Sequence, residues 1–128
     1  MKVLLDTHAF LWWTAGGDRL SGRARSVIEE PDCDVLLSAA SAWEIAIKFA
    51  RGRLELPQPP ERFVPDRVRR HRLGVLDVSV AHALRAGALP EIHADPFDRL
   101  LVAQAQLEDL PILTADPAIG QYEVETIW

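Results

Sequence analysis

The stretch His93-Ala94-Asp95-Pro96-Phe97-Asp98-Arg99-Leu100-Leu101 contains the start of a helix and two acidic residues beside it. Pro96 is typical of the first residue of a helix, because its missing N–H has no partner to lose there. Asp95 is then the N-cap residue, which accepts hydrogen bonds from the free amides of the first turn. Asp98 lies three positions later, where its carboxylate either closes a capping box or projects from the positive end of the helix dipole. Acids in a first turn often only stabilise the helix end, so the role of Asp98 has to be inferred from the other motifs of the chain.

The composition is that of an ordinary globular protein. The 128 residues fit one domain, 1–128, with 48% hydrophobic and 26% charged residues and no repeat. The single Cys33 excludes an internal disulfide and a cysteine-based zinc site. No apolar run approaches the ~20 residues of a membrane span. The apolar start of the chain stops at Asp6 and is too short for a signal peptide, so we expect a cytoplasmic protein without membrane partners.

Charge gives only weak evidence about partners. The net charge of −5 argues against non-specific binding of nucleic acid, unless several of the acids are clustered around cations. The lysines are Lys2 and Lys48, and the other basic residues are arginines, which suit bidentate phosphate contacts. An arginine-rich segment, 62–72, forms a helix or a pair of short helices that we expect Pro65 to break. It is either an RNA-facing patch or, more simply, a solvated face.

Short apolar runs alternate with helical segments along the chain. The predicted strands are residues 2–5, 34–37, 75–78, 111–114 and 122–127. The predicted helices cover 9–14, 21–30, the segment around 43–49, 80–86 and 96–108. This alternation indicates βαβ units with right-handed crossovers. We therefore predict an α/β fold, a three-layer α/β/α sandwich around a mostly parallel sheet of about five short strands.

Four acidic residues fall near one edge of this predicted sheet. Asp6 and Asp116 each follow a short apolar strand, and Asp98 begins a helix on the edge where parallel strands end. Glu44 is close to the start of its own helix. Carboxylates gathered in this way repel one another unless cations or protons compensate them. Oxygen ligands without cysteine favour hard cations such as Mg²⁺ or Mn²⁺.

Helical periodicity taken alone gives Glu44 a simpler role. It shares a stripe of its helix with small and basic residues, namely Ala40, Ser41, Lys48 and Arg51. The residues by themselves therefore predict a solvated face, with a Glu44–Lys48 ion pair at positions i and i+4.

The order of four short motifs is more specific than any one of them. They are Leu4-Leu5-Asp6-Thr7, Ser41-Ala42-Trp43-Glu44-Ile45, the stretch 93–101, and Leu113-Thr114-Ala115-Asp116. In this order and at these intervals the chain resembles the PIN-domain family and, within it, the VapC toxins of bacterial type II toxin–antitoxin pairs. The resemblance runs over nearly the whole chain.

The resemblance implies a single PIN domain that acts as a metal-dependent endoribonuclease. Its acidic quartet falls on Asp6, Glu44, Asp98 and Asp116, which would hold Mg²⁺ or Mn²⁺. Further residues fall beside this site. Asp95 is a cap or auxiliary ligand, Thr7 and Thr114 are hydrogen-bonding neighbours, His93 contacts substrate or is structural, and Arg99 pairs with an acid. The alternative is a catalytically silent PIN-like scaffold that acts only by binding an antitoxin or nucleic acid.

The resemblance also implies protein partners: a second copy of the chain and a cognate, VapB-like antitoxin. Adjacent Trp12 and Trp13 point about 100° apart on a helix, so they cannot both face one sheet. The helix around Trp43 carries a broad apolar surface as well. Such surfaces usually mark interfaces, and the alternative is that loops of the same chain cover them. VapC-like proteins form homodimers and offer a hydrophobic groove to an antitoxin segment, whose basic side chain reaches the acids.

Overall fold

A computed structural model describes all of residues 1–128 as five strands, six α-helices and one 3₁₀ turn. The strands are β1 (Lys2–Leu5), β2 (Asp34–Ser38), β3 (Gly74–Leu76), β4 (Ile112–Leu113) and β5 (Thr126–Ile127). The helices are α1 (Thr7–Thr14), α2 (Gly22–Glu29), α3 (Ala39–Ala50), α4 (Pro60–Arg70), α5 (Val80–Ala88) and α6 (Pro96–Glu108). None of these helices is long and apolar enough to cross a membrane.

The five strands form one sheet in the order β3-β2-β1-β4-β5, and every neighbouring pair is parallel. The predicted α/β fold with a parallel sheet is therefore confirmed. Strand β1 lies at the centre, with Leu4 paired to Leu36 on one side and to Ile112 on the other. Because all strands run the same way, their carboxyl ends meet at one edge, where ligands bind in sheets of this kind.

Two apolar clusters cover the two faces of the sheet, because successive strand residues point to opposite faces. Val3 and Leu5 pack on one face with Phe10 of α1 and Phe63 of α4. The opposite face holds the second cluster, in which Leu4 of β1 is joined by residues of α6 and the chain after β4, namely Leu101, Val102, Ala105, Ile119 and Tyr122. These clusters produce the predicted three layers.

Several predicted boundaries were wrong. Helix α1 begins at Thr7 rather than Ala9, because Asp6 caps it by accepting from Ala9 N at 2.7 Å. The last strand is only Thr126–Ile127, since Tyr122 follows a 3₁₀ turn and packs into the core instead. The third strand, Gly74–Leu76, begins one residue earlier and ends two residues earlier than predicted, because its extent is set by pairing with β2.

Helix α4 continues through Pro65, contrary to the expected break. A proline inside a helix removes one hydrogen bond, and packing can compensate for that loss. The packing here comes from Phe63, which is buried and meets the ring of Phe10 edge-on at 6.3 Å. The arginines of this helix are mainly a solvated face: Arg69 and Arg70 are exposed and share the carboxylate of Asp66.

The tryptophans and the apolar residues of α6 differ in how far they are buried. Trp12 packs against Trp128, with 5.7 Å between the ring centroids, and Trp13 packs against His71, with 4.6 Å between them. Both tryptophans are therefore half-buried by their own chain. Trp43 is 60% exposed. The apolar pattern of α6 predicts that Phe97, Leu100, Leu101, Ala105 and Leu107 face the core. The structure buries Leu101 and Ala105, whereas Phe97 and Leu100 are half-buried and Leu107 is exposed.

Candidate active site

The carboxyl ends of β1 and β4 bring Asp6 and Asp116 to one edge of the sheet, as predicted. The link between the strand ends is Thr114, whose hydroxyl donates to Oδ2 of Asp6 and accepts from the amide of Asp116 at 3.0 Å. Asp6 is almost fully buried. Burial raises the pKa of the Asp6 carboxyl, and the hydrogen bonds from Thr114 and Ala9 partly oppose this by stabilising the carboxylate.

The imidazole of His93 lies between two carboxylates that are 18 positions apart in the chain. Its Nε2 is 3.0 Å from Oδ2 of Asp98 and 3.4 Å from Oδ2 of Asp116. Its Nδ1 accepts from the amide of Asp95 at 3.3 Å, which assigns the ring proton of the neutral imidazole to Nε2. His93 therefore donates toward Asp98 and Asp116, and its own amide donates to the Tyr122 hydroxyl at 2.8 Å.

Asp98 is the most strongly perturbed acid of the site. Its pKa is raised to about 7, first by burial and then by the negative charges of Asp95, Glu44 and Asp6, while His93 opposes the shift. The structure therefore contains no capping box at Asp98: its carboxylate is directed at His93, and Asp95 alone caps α6 by accepting from Phe97 N at 2.8 Å.

Glu44 is buried, so the predicted solvated face is wrong. The residue as a whole is 2% exposed, and Oε1 accepts from the Thr7 hydroxyl at 2.6 Å. The predicted ion pair with Lys48 is present and engages Oε2. The error arises because the periodicity of one helix cannot show that α1 packs against it. Ser41, whose hydroxyl lies 2.9 Å from that of Thr7, also belongs to this network and was not predicted.

Arg99 lies apart from the acids. Its guanidinium donates to the carbonyl oxygens of Ala86, Leu89 and Pro90 at 2.9 to 3.0 Å, and it forms no ion pair. It therefore ties the end of α5 and the following loop to α6, instead of pairing with an acid as expected. The same guanidinium also donates to the carbonyl oxygen of His93 at 3.5 Å, so Arg99 helps to hold the His93 loop in place.

Comparison with known proteins identifies the family. The family model described as "PIN domain" matches residues 3–125. The chain belongs to the PIN-domain family. Within it, the chain is 34% identical over 130 residues to Ribonuclease VapC22 of Mycobacterium tuberculosis, an alignment that covers 98% of each protein. It is 42% identical over 74 residues to Ribonuclease VapC16 of the same organism, covering 56% of this chain and 52% of that protein.

Solved structures show the same PIN-domain fold. VapBC2 from Rickettsia felis, bound to a promoter DNA fragment, matches with a TM-score of 0.69 and 12% identity over 100% of both chains. DNA-bound VapBC from Salmonella typhimurium matches with a TM-score of 0.69 and 16% identity, covering 98% of this chain and 96% of that one. The chain is thus a PIN-domain protein of the VapC ribonuclease group, and the resemblance seen in its sequence is confirmed.

At the edge of the sheet where the strands end, one set of side chains is close enough to bind a metal ion jointly. Ligand atoms of His93, Asp98 and Asp116 all lie within 4.8 Å of one another. Asp6 is linked to this set by the hydroxyl of Thr114. Glu44 is not part of the set and is hydrogen-bonded to Thr7 instead. Because most of the available donors are carboxylate oxygens, the donor set fits a hard divalent cation.

Proposed function

We propose that the protein is a metal-dependent endoribonuclease, the toxin of a type II toxin–antitoxin pair, built as one PIN domain over residues 1–128. The observation that carries the proposal is the cluster of Asp98, Asp116 and His93, with Asp6 tied to it by Thr114. The family relationship to VapC ribonucleases supports the same activity. A silent scaffold would have no need for a mutually repelling set of acids gathered at the sheet edge, since such a set costs stability.

Asp6, Asp98 and Asp116 would hold Mg²⁺ or Mn²⁺, with Glu44 as the fourth acid of the quartet. A divalent ion held by these residues would supply a bound water of lowered pKa and positive charge for the reacting phosphate. Thr114 fixes the rotamer of Asp6, and Thr7 does the same for Glu44. These hydroxyls keep the carboxylates preorganised, so that little rearrangement is needed when substrate binds.

RNA is the proposed substrate, cut to leave a 5′-phosphate and a 3′-hydroxyl. We expect His93 to contact the substrate, because its Nε2 lies close to both Asp98 and Asp116 and would be beside a phosphate bound at these acids. Asp95 acts as the helix cap of α6 and, through its charge, as an auxiliary acid that raises the pKa of Asp98.

An antitoxin, VapB-like in type, is the proposed inhibitor, and the structure offers a groove for it. The groove has a volume of about 490 Å³, and its apolar lining residues include Leu11, Trp12, Ile45, Leu54, Leu56 and Phe63. It also includes Thr7 and Lys48, which both contact Glu44, so a segment in the groove lies next to the acids. Similarity to structures of toxin–antitoxin complexes supports this partner.

A second copy of the chain is the other proposed partner. Helix α5 exposes two large apolar side chains one turn apart, Val80 at 78% and Leu84 at 71%. Trp43, which is 60% exposed, adds apolar surface on α3. An exposed stripe of this kind in a small protein favours burial against another chain.

Metal dependence of cleavage tests the proposed function. The purified protein is incubated with a single-stranded RNA in Mn²⁺, in EDTA, and in EDTA followed by excess Mn²⁺. We expect cleavage in Mn²⁺, none in EDTA, and recovery after Mn²⁺ is restored, with 5′-phosphate ends on the products. Cleavage that resists EDTA would contradict the proposal, and so would an absence of cleavage under every metal condition.

A further inference from the structure

Both carboxylate oxygens of Glu44 already have partners within the chain. Oε1 accepts from the Thr7 hydroxyl at 2.6 Å, and Oε2 is paired with the ammonium of Lys48, one helical turn away. The Glu44 side chain is 3% exposed, whereas that of Lys48 is 38% exposed and also lines the groove. The positive charge therefore stands between a buried carboxylate and the open groove.

The other acids of the site are in a different electrostatic situation. Asp98 and Asp116 share only the imidazole of His93, and neither they nor Asp6 form an ion pair with a lysine or an arginine. The acidic site thus has two parts, one in which charge is uncompensated and one, at Glu44, in which a built-in cation compensates it.

We propose that Lys48 takes the place of a second metal ion, so that the site binds one divalent ion, on the Asp98–Asp116 side, and uses the Lys48 ammonium as its other positive charge. This inference rests on the proposed function and specifies the cation requirement of the same site. A divalent ion at Glu44 would have to displace Lys48 from Oε2 or lie beside a like charge. Because the ammonium of Lys48 already pairs with Glu44, this carboxylate attracts such an ion less strongly than the acids that have no cationic partner.

Lys48 also has the chemistry to act on a substrate. An ammonium group has three N–H donors, and the pairing with Glu44 leaves donors free. The partial exposure of the side chain toward the groove lets these donors reach a phosphate oxygen of bound RNA. In sites with two metal ions the second cation stabilises charge on the phosphate and its leaving oxygen, and Lys48 would supply that stabilisation here.

Metal stoichiometry tests the inference without depending on catalysis. Mn²⁺ is titrated into the metal-free protein, and bound ions are counted by calorimetry and by the loss of the free-ion signal in electron paramagnetic resonance. We expect one bound Mn²⁺ in the wild type and a second in Lys48→Met, because removal of the ammonium leaves Oε2 of Glu44 free. Lys2→Met is the matched control, since Lys2 is exposed and remote from the acids in the register of β1, and it should bind one ion.

A second variant protects the test against loss of folding. Lys48→Gln removes the charge but keeps an N–H donor for buried Glu44, so it should fold and bind the second ion as well. RNA cleavage by Lys48→Met at limiting Mn²⁺ should fall by about 10–1000-fold, the range found when one stabilising group is removed from a transition state. Excess Mn²⁺ should restore part of the lost cleavage activity.

The outcomes separate the inference from the proposed function. Two ions in the wild type, or no additional ion in both Lys48 variants, would overturn the role of Lys48 and leave the metal-dependent nuclease standing. No Mn²⁺ bound by the wild type would overturn both. One ion in the wild type and Lys2→Met, and two in the Lys48 variants, would support the inference.

Discussion

Oγ1 of Thr114 donates a hydrogen bond to Oδ2 of Asp6, which joins residues 108 positions apart. The contact exists because β1 and β4 are parallel neighbours whose carboxyl ends coincide. Both side chains are buried. The relationship shows how the sheet, rather than local sequence, places the first acid of the candidate site.

The Thr114→Val substitution removes this hydroxyl while keeping the shape of the side chain. We expect the free energy of unfolding to fall by about 2 kcal/mol, because a buried carboxylate loses a donor. RNA cleavage should fall by about 10–100-fold, as is usual when a group that orients a metal ligand is removed. Thr14→Val is the matched control, since that hydroxyl bonds only to carbonyls of its own helix. Equal effects of the two substitutions on cleavage would contradict the role given to Thr114.

The raised pKa of Asp98 predicts how stability depends on pH in the metal-free protein. The folded carboxyl has a pKa of about 7 against 3.8 normally, so between these values the folded state binds more protons than the unfolded state. Stability should therefore decrease as pH rises from about 4 to about 7. Asp98→Asn should remove this decrease, worth on the order of 1–3 kcal/mol, and be the more stable protein above pH 7. Urea unfolding in EDTA at several pH values measures the free energy of unfolding of both proteins. Parallel pH profiles for the wild type and Asp98→Asn would refute the prediction.

The apolar face of α5 predicts self-association. Light scattering of the wild type should give twice the 14.3 kDa chain mass, and Leu84→Glu should give the chain mass, because a charge would be buried at the interface. Leu107→Glu, at an exposed leucine of α6, is the control and should remain dimeric. A wild-type monomer at tens of micromolar would count against the dimer.

The groove beside the acids predicts how an antitoxin inhibits. A segment with leucine or tryptophan anchors should occupy the groove, and a following arginine or lysine should reach the carboxylates and compete with metal. Inhibition of cleavage should weaken as Mn²⁺ is raised, and it should weaken when that basic residue is changed to alanine. If the alanine variant of the cognate antitoxin inhibits equally well, the charge competition is wrong.

Sequence patterns predicted those features that depend on one element or on the sheet as a whole. Asp95 as the cap of α6, and Asp6 and Asp116 at one edge, follow from local capping chemistry and from the geometry of parallel strands. The burial of Glu44 was not predictable in this way, because it depends on Thr7, 37 residues earlier, in a helix that packs against α3. The contact of His93 with two carboxylates depends in the same way on the loop that Arg99 fixes.

Cleavage of RNA by Asp98→Asn is the most direct test of the central claim that these acids form one catalytic site. The substitution keeps the size of the side chain, and its amide oxygen can still accept from His93. The variant should fold with a melting temperature at or above that of the metal-free wild type, lose the increase in melting temperature that Mn²⁺ gives the wild type, and show no RNA cleavage. A folded Asp98→Asn protein that cuts RNA at the wild-type rate in Mn²⁺ would contradict the claim.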